Sequence, residues 1–262
     1  PISGCLINLN SADAFFVLQN VKPSVVVSTY LSQVRISGAS AVADGNCRVV
    51  QYGQSGTVVI PHASSFQPLQ VFSGPNFTGA SSFLGKYVYY TGTGLGAMNG
   101  TISSFKLKRG YMATFAQSPS GSGLSKCYVA QDGDVEVSVL PANLDNNVRF
   151  VYVLPWRWES KKGSCDIAPA NLDATWWYNW NISESSTRDR EYVAIKQQPY
   201  WPGLGQNWQT LGVNHLSGYN EPNNSVEDAY KNLNPPGSVS DAVARWPELL
   251  GTGLRVGAPA VT

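Results

Sequence analysis

The side chains best suited to chemistry stand together in Tyr219-Asn220-Glu221-Pro222, at the end of a short apolar run that starts near His215. A carboxylic acid can deliver a proton and take it back, and a neighbouring carboxamide can hold a hydroxyl group. The plainer alternative is a turn into a following helix, with Glu221 charged near its N-terminus. His215 reads as a strand-border residue rather than a catalyst. Upstream lies an unusual concentration of rings: Trp176, Trp177, Tyr178 and Trp180, then Tyr200 and Trp201, with Asn179 and Gln198 among them. Aromatic faces pack against the axial C–H groups of sugar rings, and amides bind sugar hydroxyls. The same rings could instead fill a core.

These residues need strands and helices to hold them. Glu191–Gln198 reads as a buried-type strand, His215–Pro222 as a short strand with polar residues at its C-terminal end, and Leu254–Val261 as a further strand. Asn207–Gly212 reads as a short helix, and Ser225 and Ser240 read as caps opening two more. Strands alternating with helices predict βα units around a parallel sheet, with polar residues gathered at the strand C-termini. Before Pro155 the texture is different. Short β-branched runs at Phe15–Leu18, Ser24–Ser28, Gln33–Ile36 and Thr57–Ile60 are broken by glycines, and Asp44-Gly45 is a hairpin signal. A repeat follows: Leu69–Phe72 runs into Asn76–Gly79, and Ala113–Phe115 into Ser118–Gly121. Each half closes on a polar turn and a strand, at Asn99–Leu107 and Asp145–Val153. A duplication of strands and turns predicts two Greek keys in a sandwich. The expected organisation is therefore a β-rich module over 1–65, a Greek-key module over 66–154 and a third region over 155–262.

With 43% hydrophobic and 13% charged residues the chain lies far from a disordered composition. A net charge of +1 gives no broad field for nucleic acid or an anionic membrane. No run of eighteen apolar residues could span a bilayer. The chain begins at Pro1, without Met, which reads as a mature or recombinant start. Cys5, Cys47, Cys127 and Cys165 form no CxxC pair. An even count suits an oxidising compartment with a Cys5–Cys47 bridge, or else four buried thiols. The expected location is extracellular.

Phe72 and Gly79, an aromatic seven positions before a glycine in a folded hairpin, resemble the βγ-crystallin family. The second copy is looser, with Phe115 followed by Gly121 and Gly123. Microbial members often bind calcium through [ND]-[ND]-x-x-[ST]-S. Asn99-Gly100-Thr101-Ile102-Ser103-Ser104 departs from that pattern at Gly100. Asp145-Asn146-Asn147-Val148-Arg149-Phe150 departs from it at Arg149 and Phe150. The resemblance implies at most one structural calcium, with Asn99 and Ser103 as ligands, and no required cofactor. Plain turn chemistry is the competing account of these residues.

Tyr219–Pro222, with Trp177–Trp180 upstream and Gly257–Ala260 downstream, resembles the clan A glycoside hydrolases, and within them family 128. The resemblance implies the first part of a (β/α)8 barrel. It makes Glu221 the acid/base and Asn220 the ligand of the sugar 2-hydroxyl. Trp176, Trp177, Tyr178, Asn179, Trp180, Gln198 and Trp201 become substrate contacts. Retention needs a second carboxylate about 5–5.5 Å away. Glu227, Asp228, Asp241 and Glu248 all fall on apparent helices, so the nucleophile is expected outside this chain. The rest of the barrel is expected in another chain or segment. The implied activity is retaining hydrolysis of a β-linked polysaccharide, foremost β-1,3-glucan. A marine galactan hydrolase and a non-catalytic carbohydrate-binding or adhesive protein are the alternatives.

Overall fold

The computed structural model describes residues 4–166 and 172–262. They are mostly β, arranged in six small sheets with few helices, and divide into two compact units. One unit comprises Pro1–Phe66, Arg157–Trp177 and Ser186–Tyr192. The other comprises Gln67–Trp156, Tyr178–Ser185 and Val193–Thr262.

The first unit closes around Leu9, Leu18, Val26, Leu31, Val34, Cys47, Val49 and Val59. Strands Phe16–Leu18, Gly56–Ile60 and Arg48–Gly53 form an antiparallel run, to which Trp158–Glu159 adds in parallel. The expected strand at Ser24–Ser28 is helical instead: Pro23–Val25 is an α-turn that continues as a wider turn over Val26–Tyr30. Pro23 at the first helical position fixes a helical φ, and burial of Val26 outweighs the β preference of the valines. The Cys5–Cys47 bridge is not formed. Cys5 is exposed, whereas Cys47 lies in the core, where burial pushes its thiol up to about 11.

In the second unit, Gln67–Trp156 builds two four-stranded sheets by exchanging strands. Leu69–Gly74, Thr78–Leu84 and Ser104–Leu107 take Val135–Val137 from the later half. Tyr111–Ala116, Ser125–Ala130 and Phe150–Pro155 take Tyr89–Thr91 from the earlier half. The sheets meet through Phe105, whose ring centroid lies 4.7 Å from that of Phe115 and 4.8 Å from that of Tyr128. Gly79 (φ +79°) lets the first hairpin fold, because a Cβ there would lie 2.5 Å from Ser73 Oγ.

No (β/α)8 barrel forms among the described residues, so the expected sandwich-plus-barrel architecture is wrong. Apart from Trp158–Glu159, the short strands after Pro155 fall into two separate trios, the second parallel throughout and the first parallel where Trp176–Tyr178 meets Glu191–Tyr192. The trios are Gly163–Cys165, Trp176–Tyr178, Glu191–Tyr192 and then Ala194–Ile195, His215–Ser217, Arg255–Gly257. The run Glu191–Gln198, expected as one strand, breaks at Val193 into pieces belonging to different sheets. Strands of two or three residues make too few ladder bonds to continue a sheet, and the intervening loops are rich in proline. The helices are Trp208–Leu211, Asp228–Lys231 and Val239–Leu250. Asn207 caps the first. The last is capped by Ser238 rather than Ser240, and Asp228–Lys231 carries no side-chain cap from Ser225 or any other residue.

Candidate active site

The Tyr219–Glu221 run is fixed by its backbone on both sides. Asn220 N–H donates to Gln197 O at 2.9 Å, and Glu221 N–H donates to Ala260 O at 2.9 Å. The run leaves strand His215–Ser217, the middle member of its parallel trio. Gly218 makes the exit possible, since a Cβ there would lie 2.5 Å from the Trp246 ring and 3.0 Å from Gly257 O. Fully buried Tyr219 packs perpendicular to Trp246 with centroids 5.8 Å apart, and burial pushes its hydroxyl up to about 12. Glu221 itself has φ +44°, in the left-handed region that a residue bearing a Cβ rarely occupies.

Around it runs a chain of polar contacts. Asn224 Nδ2 donates to Glu221 Oε2 at 2.8 Å, and Asn220 Nδ2 donates to Glu227 Oε2 at 3.2 Å. Asn224 N–H donates to Glu221 O and Glu227 N–H to Asn224 O, so one winding turn carries all four residues. Gln198 accepts from Asn232 Nδ2, and its backbone pairs in both directions with Trp201. Tyr200 and Trp201 are 62% and 43% exposed, which leaves ring surface open to a ligand. The Arg245 guanidinium sits 4.7 Å from the Tyr200 ring centroid and donates to its hydroxyl, while Asp241 accepts from Arg245 at 2.9 Å.

Of the residues singled out in the sequence, Gln198 and Trp201 belong to the same parallel-trio neighbourhood as Asn220 and Glu221. Tyr178, Asn179 and Trp180 precede it in the same unit, with Tyr178 and Trp180 edge to face at 5.1 Å. Trp176 and Trp177 fall in the other unit. Trp176 lies on Gly163, and Trp177, 8% exposed, packs at 4.9 Å on Tyr192. The carboxylates after Glu221 are engaged elsewhere or exposed: Glu227 with Asn220, Asp241 with Arg245, Glu248 with buried Lys196 at 3.3 Å, and Asp228 at the surface. An apolar cavity of about 610 Å³ behind Pro222, lined by Leu233, Val239, Trp246 and Leu250, would leave sugar hydroxyls unpaired. Asn224, Asn232 and Arg245 were missed in the sequence. The i, i+3 spacing of Glu221, Asn224 and Glu227 was the visible signal for the first.

Residues 153–262 match the family model described as a glycosyl hydrolase catalytic core. This supports a glycoside hydrolase in general and covers the whole of the Glu221 site. No curated protein matches the chain. Among solved structures, a βγ-crystallin domain from Flavobacterium johnsoniae is similar at 24% identity, over 33% of this chain and 93% of that one, with a TM-score of 0.29. The N-terminal domain of protein S is similar at 29% identity, over 34% and 98%, with a TM-score of 0.30. A βγ-crystallin domain from Clostridium beijerinckii is similar at 17% identity, over 33% and 95%, with a TM-score of 0.29.

Glu159, in the first unit, has its carboxyl pushed up to about 7 by burial, with Glu191 adding to the effect and Arg157, paired at 2.6 Å, opposing it. In the Greek-key region, Asn99 Oδ1 is buried without a hydrogen-bond partner, as a cation ligand would be. The Arg149 guanidinium stands against that reading: it lies within 3.8 Å of where a Cβ on Gly100 would sit. Among the described residues no cluster of three His, Cys, Asp or Glu side chains could hold a metal ion. One orphan oxygen beside a fixed positive charge falls short of the six to eight oxygens that calcium takes.

Proposed function

We propose that this protein belongs to a retaining glycoside hydrolase acting on a β-linked polysaccharide, with β-1,3-glucan the first substrate to test. The observation that carries the reading is the Asn220–Glu221 pair, clamped at a strand end by bonds to Gln197 O and Ala260 O, inside the segment that matches the hydrolase model. Glu221 gives its proton to the glycosidic oxygen. The bond from that oxygen to the anomeric carbon breaks with its electron pair leaving on the oxygen, and a second carboxylate takes the carbon. Glu221 then removes a proton from the water that releases the sugar. Asn220 binds the 2-hydroxyl, and the rings of Tyr178, Trp180 and Trp201, with Asn179 and Gln198, line the chain's path. None of the carboxylates following Glu221 is assigned as the nucleophile: Glu227 accepts from Asn220, Asp241 and Glu248 pair with Arg245 and Lys196, and Asp228 lies at the surface. An extracellular location suits a polymeric substrate. Among the described residues no helix is long and apolar enough to cross a membrane.

Release of reducing ends from laminarin, with the β-configuration kept in the first-formed product, tests the reading. Binding of glucan without turnover would favour the non-catalytic alternative, and turnover of agar in place of laminarin the galactan alternative. A structural calcium near Asn99 and Ser103 is a second reading, supported by the orphan Asn99 oxygen and opposed by Arg149.

A further inference from the structure

We propose that Asn224 and Glu227 are positioning residues: Asn224 aims Glu221, and Glu227 aims Asn220. The inference rests on the hydrolase reading above and adds the origin of its geometry.

A carboxyl group has two oxygens and one proton to deliver. Glu221 Oε2 already accepts from Asn224 Nδ2 at 2.8 Å, so a proton placed there would compete with that bond. Oε1 is thereby left as the oxygen that carries the proton to substrate. The same bond restrains a side chain that otherwise has three rotatable torsions, and orientation of this kind is a large part of a catalytic acid's effect. The case for Glu227 follows from the asymmetry of a carboxamide, with an acceptor at one pole and two donors at the other. Glu227 Oε2 takes the Asn220 donor pole at 3.2 Å. Rotating the amide by half a turn would set Asn220 Oδ1 against a carboxylate, two acceptors face to face. Glu227 thus fixes Asn220 Oδ1 as the pole that accepts from a sugar hydroxyl. Both aiming residues come from the turn they serve, at i+3 from Glu221 and i+7 from Asn220, and its backbone bonds Asn224→Glu221 and Glu227→Asn224 hold them there. A substitution at either position therefore changes the direction of a reacting group while leaving the core untouched.

The test compares ratios of rates in the natural protein. Its substrates are laminarin, 2,4-dinitrophenyl β-glucoside, whose leaving group needs little protonation, and the 2-deoxy form of that glucoside. Asn224→Ala should lower kcat/KM on laminarin about 10–100-fold while changing kcat/KM for the dinitrophenyl glucoside less than about threefold, because kcat/KM reports glycosylation and only laminarin needs an aimed acid in that step. Asn224→Asp keeps the shape but cannot donate, and should behave at least as badly. Glu227→Ala should reduce the preference for the 2-hydroxy over the 2-deoxy glucoside by about tenfold. Glu227→Gln, whose amide oxygen still accepts, should restore most of that preference. Melting temperatures should stay within a few degrees of wild type. Equal losses on every substrate, or unchanged ratios, overturn the proposal while leaving the hydrolase reading intact. A wild-type protein inactive on every glycan overturns both.

Discussion

Within one compact unit, two regions solve the problem of holding a shape by opposite means. Gln67–Trp156 uses antiparallel strands of up to seven residues, Tyr111–Ala116 pairing without a break along its whole length on both sides, with Phe105, Phe115 and Tyr128 packed between the sheets. Val193–Thr262 uses strands of two and three residues, and its key turn is held by amides, carboxylates and single backbone bonds. Apolar burial is non-directional and tolerates exchange of like for like, whereas a hydrogen bond fixes direction and fails when one atom changes. The first region is built to be stable and the second to be precise. Their responses to substitution should differ accordingly.

The largest effect should come from the precise region. Glu221→Gln should cut turnover of natural glycan by several orders of magnitude and the glycosylation step of activated aryl glycosides much less, with azide restoring release as the retained glycosyl azide. Unfolding by urea should change by less than about 1 kcal/mol, as for other substitutions away from a core. The opposite pattern belongs to the two four-stranded sheets of Gln67–Trp156. Phe105→Ala should cost about 3–5 kcal/mol of stability by urea titration, since a ring buried between two sheets leaves a cavity. A Phe105→Ala variant as stable as wild type would break the comparison.

A smaller effect concerns the other unit and its pH dependence. Because the Glu159 carboxyl is raised above its ordinary value, the folded state binds a proton more readily than the unfolded chain. Stability is therefore greatest below about pH 4.5 on this account and declines as pH rises through about 7. The decline should amount to about 1–3 kcal/mol and vanish in Glu159→Gln, measured by urea unfolding at a series of pH values. The smallest effect is on cation binding. Calorimetry should find one weak calcium site or none, and Arg149→Ser should raise affinity about tenfold by removing a like charge. Two tight sites in the wild-type protein would contradict the account of Arg149.

Local signals in the sequence were legible where the decisive forces are local. The Phe72–Gly79 spacing marks a hairpin because only glycine accepts that φ so close to Ser73, and Asn207 marks a helix start because its side chain caps it. The acid proposed at Glu221 stands out in the sequence for a similar reason: a carboxyl and a carboxamide end an apolar run together. The barrel was a different case. Its expectation rested on strand and helix alternation, and alternation says nothing about whether Glu191–Gln198 pairs along its whole length or splits at Val193. The Ser24–Ser28 valines misled because Pro23 and the burial of Val26 outweigh β-branching. Arg245, four residues after Asp241 and far in sequence from Tyr200, joins the site only through folding.

The left-handed backbone at Glu221 has a consequence for anyone who sets out to stabilise this protein. A conformation with φ +44° costs a residue bearing a Cβ about 1 kcal/mol, which glycine avoids and asparagine largely avoids. Glu221→Gly and Glu221→Asn should therefore melt a few degrees above wild type while hydrolysing nothing. Any campaign that selects for thermal tolerance alone would be drawn to the one position it must leave untouched. Evolution of this chain for heat resistance would have to proceed under continuous selection for activity.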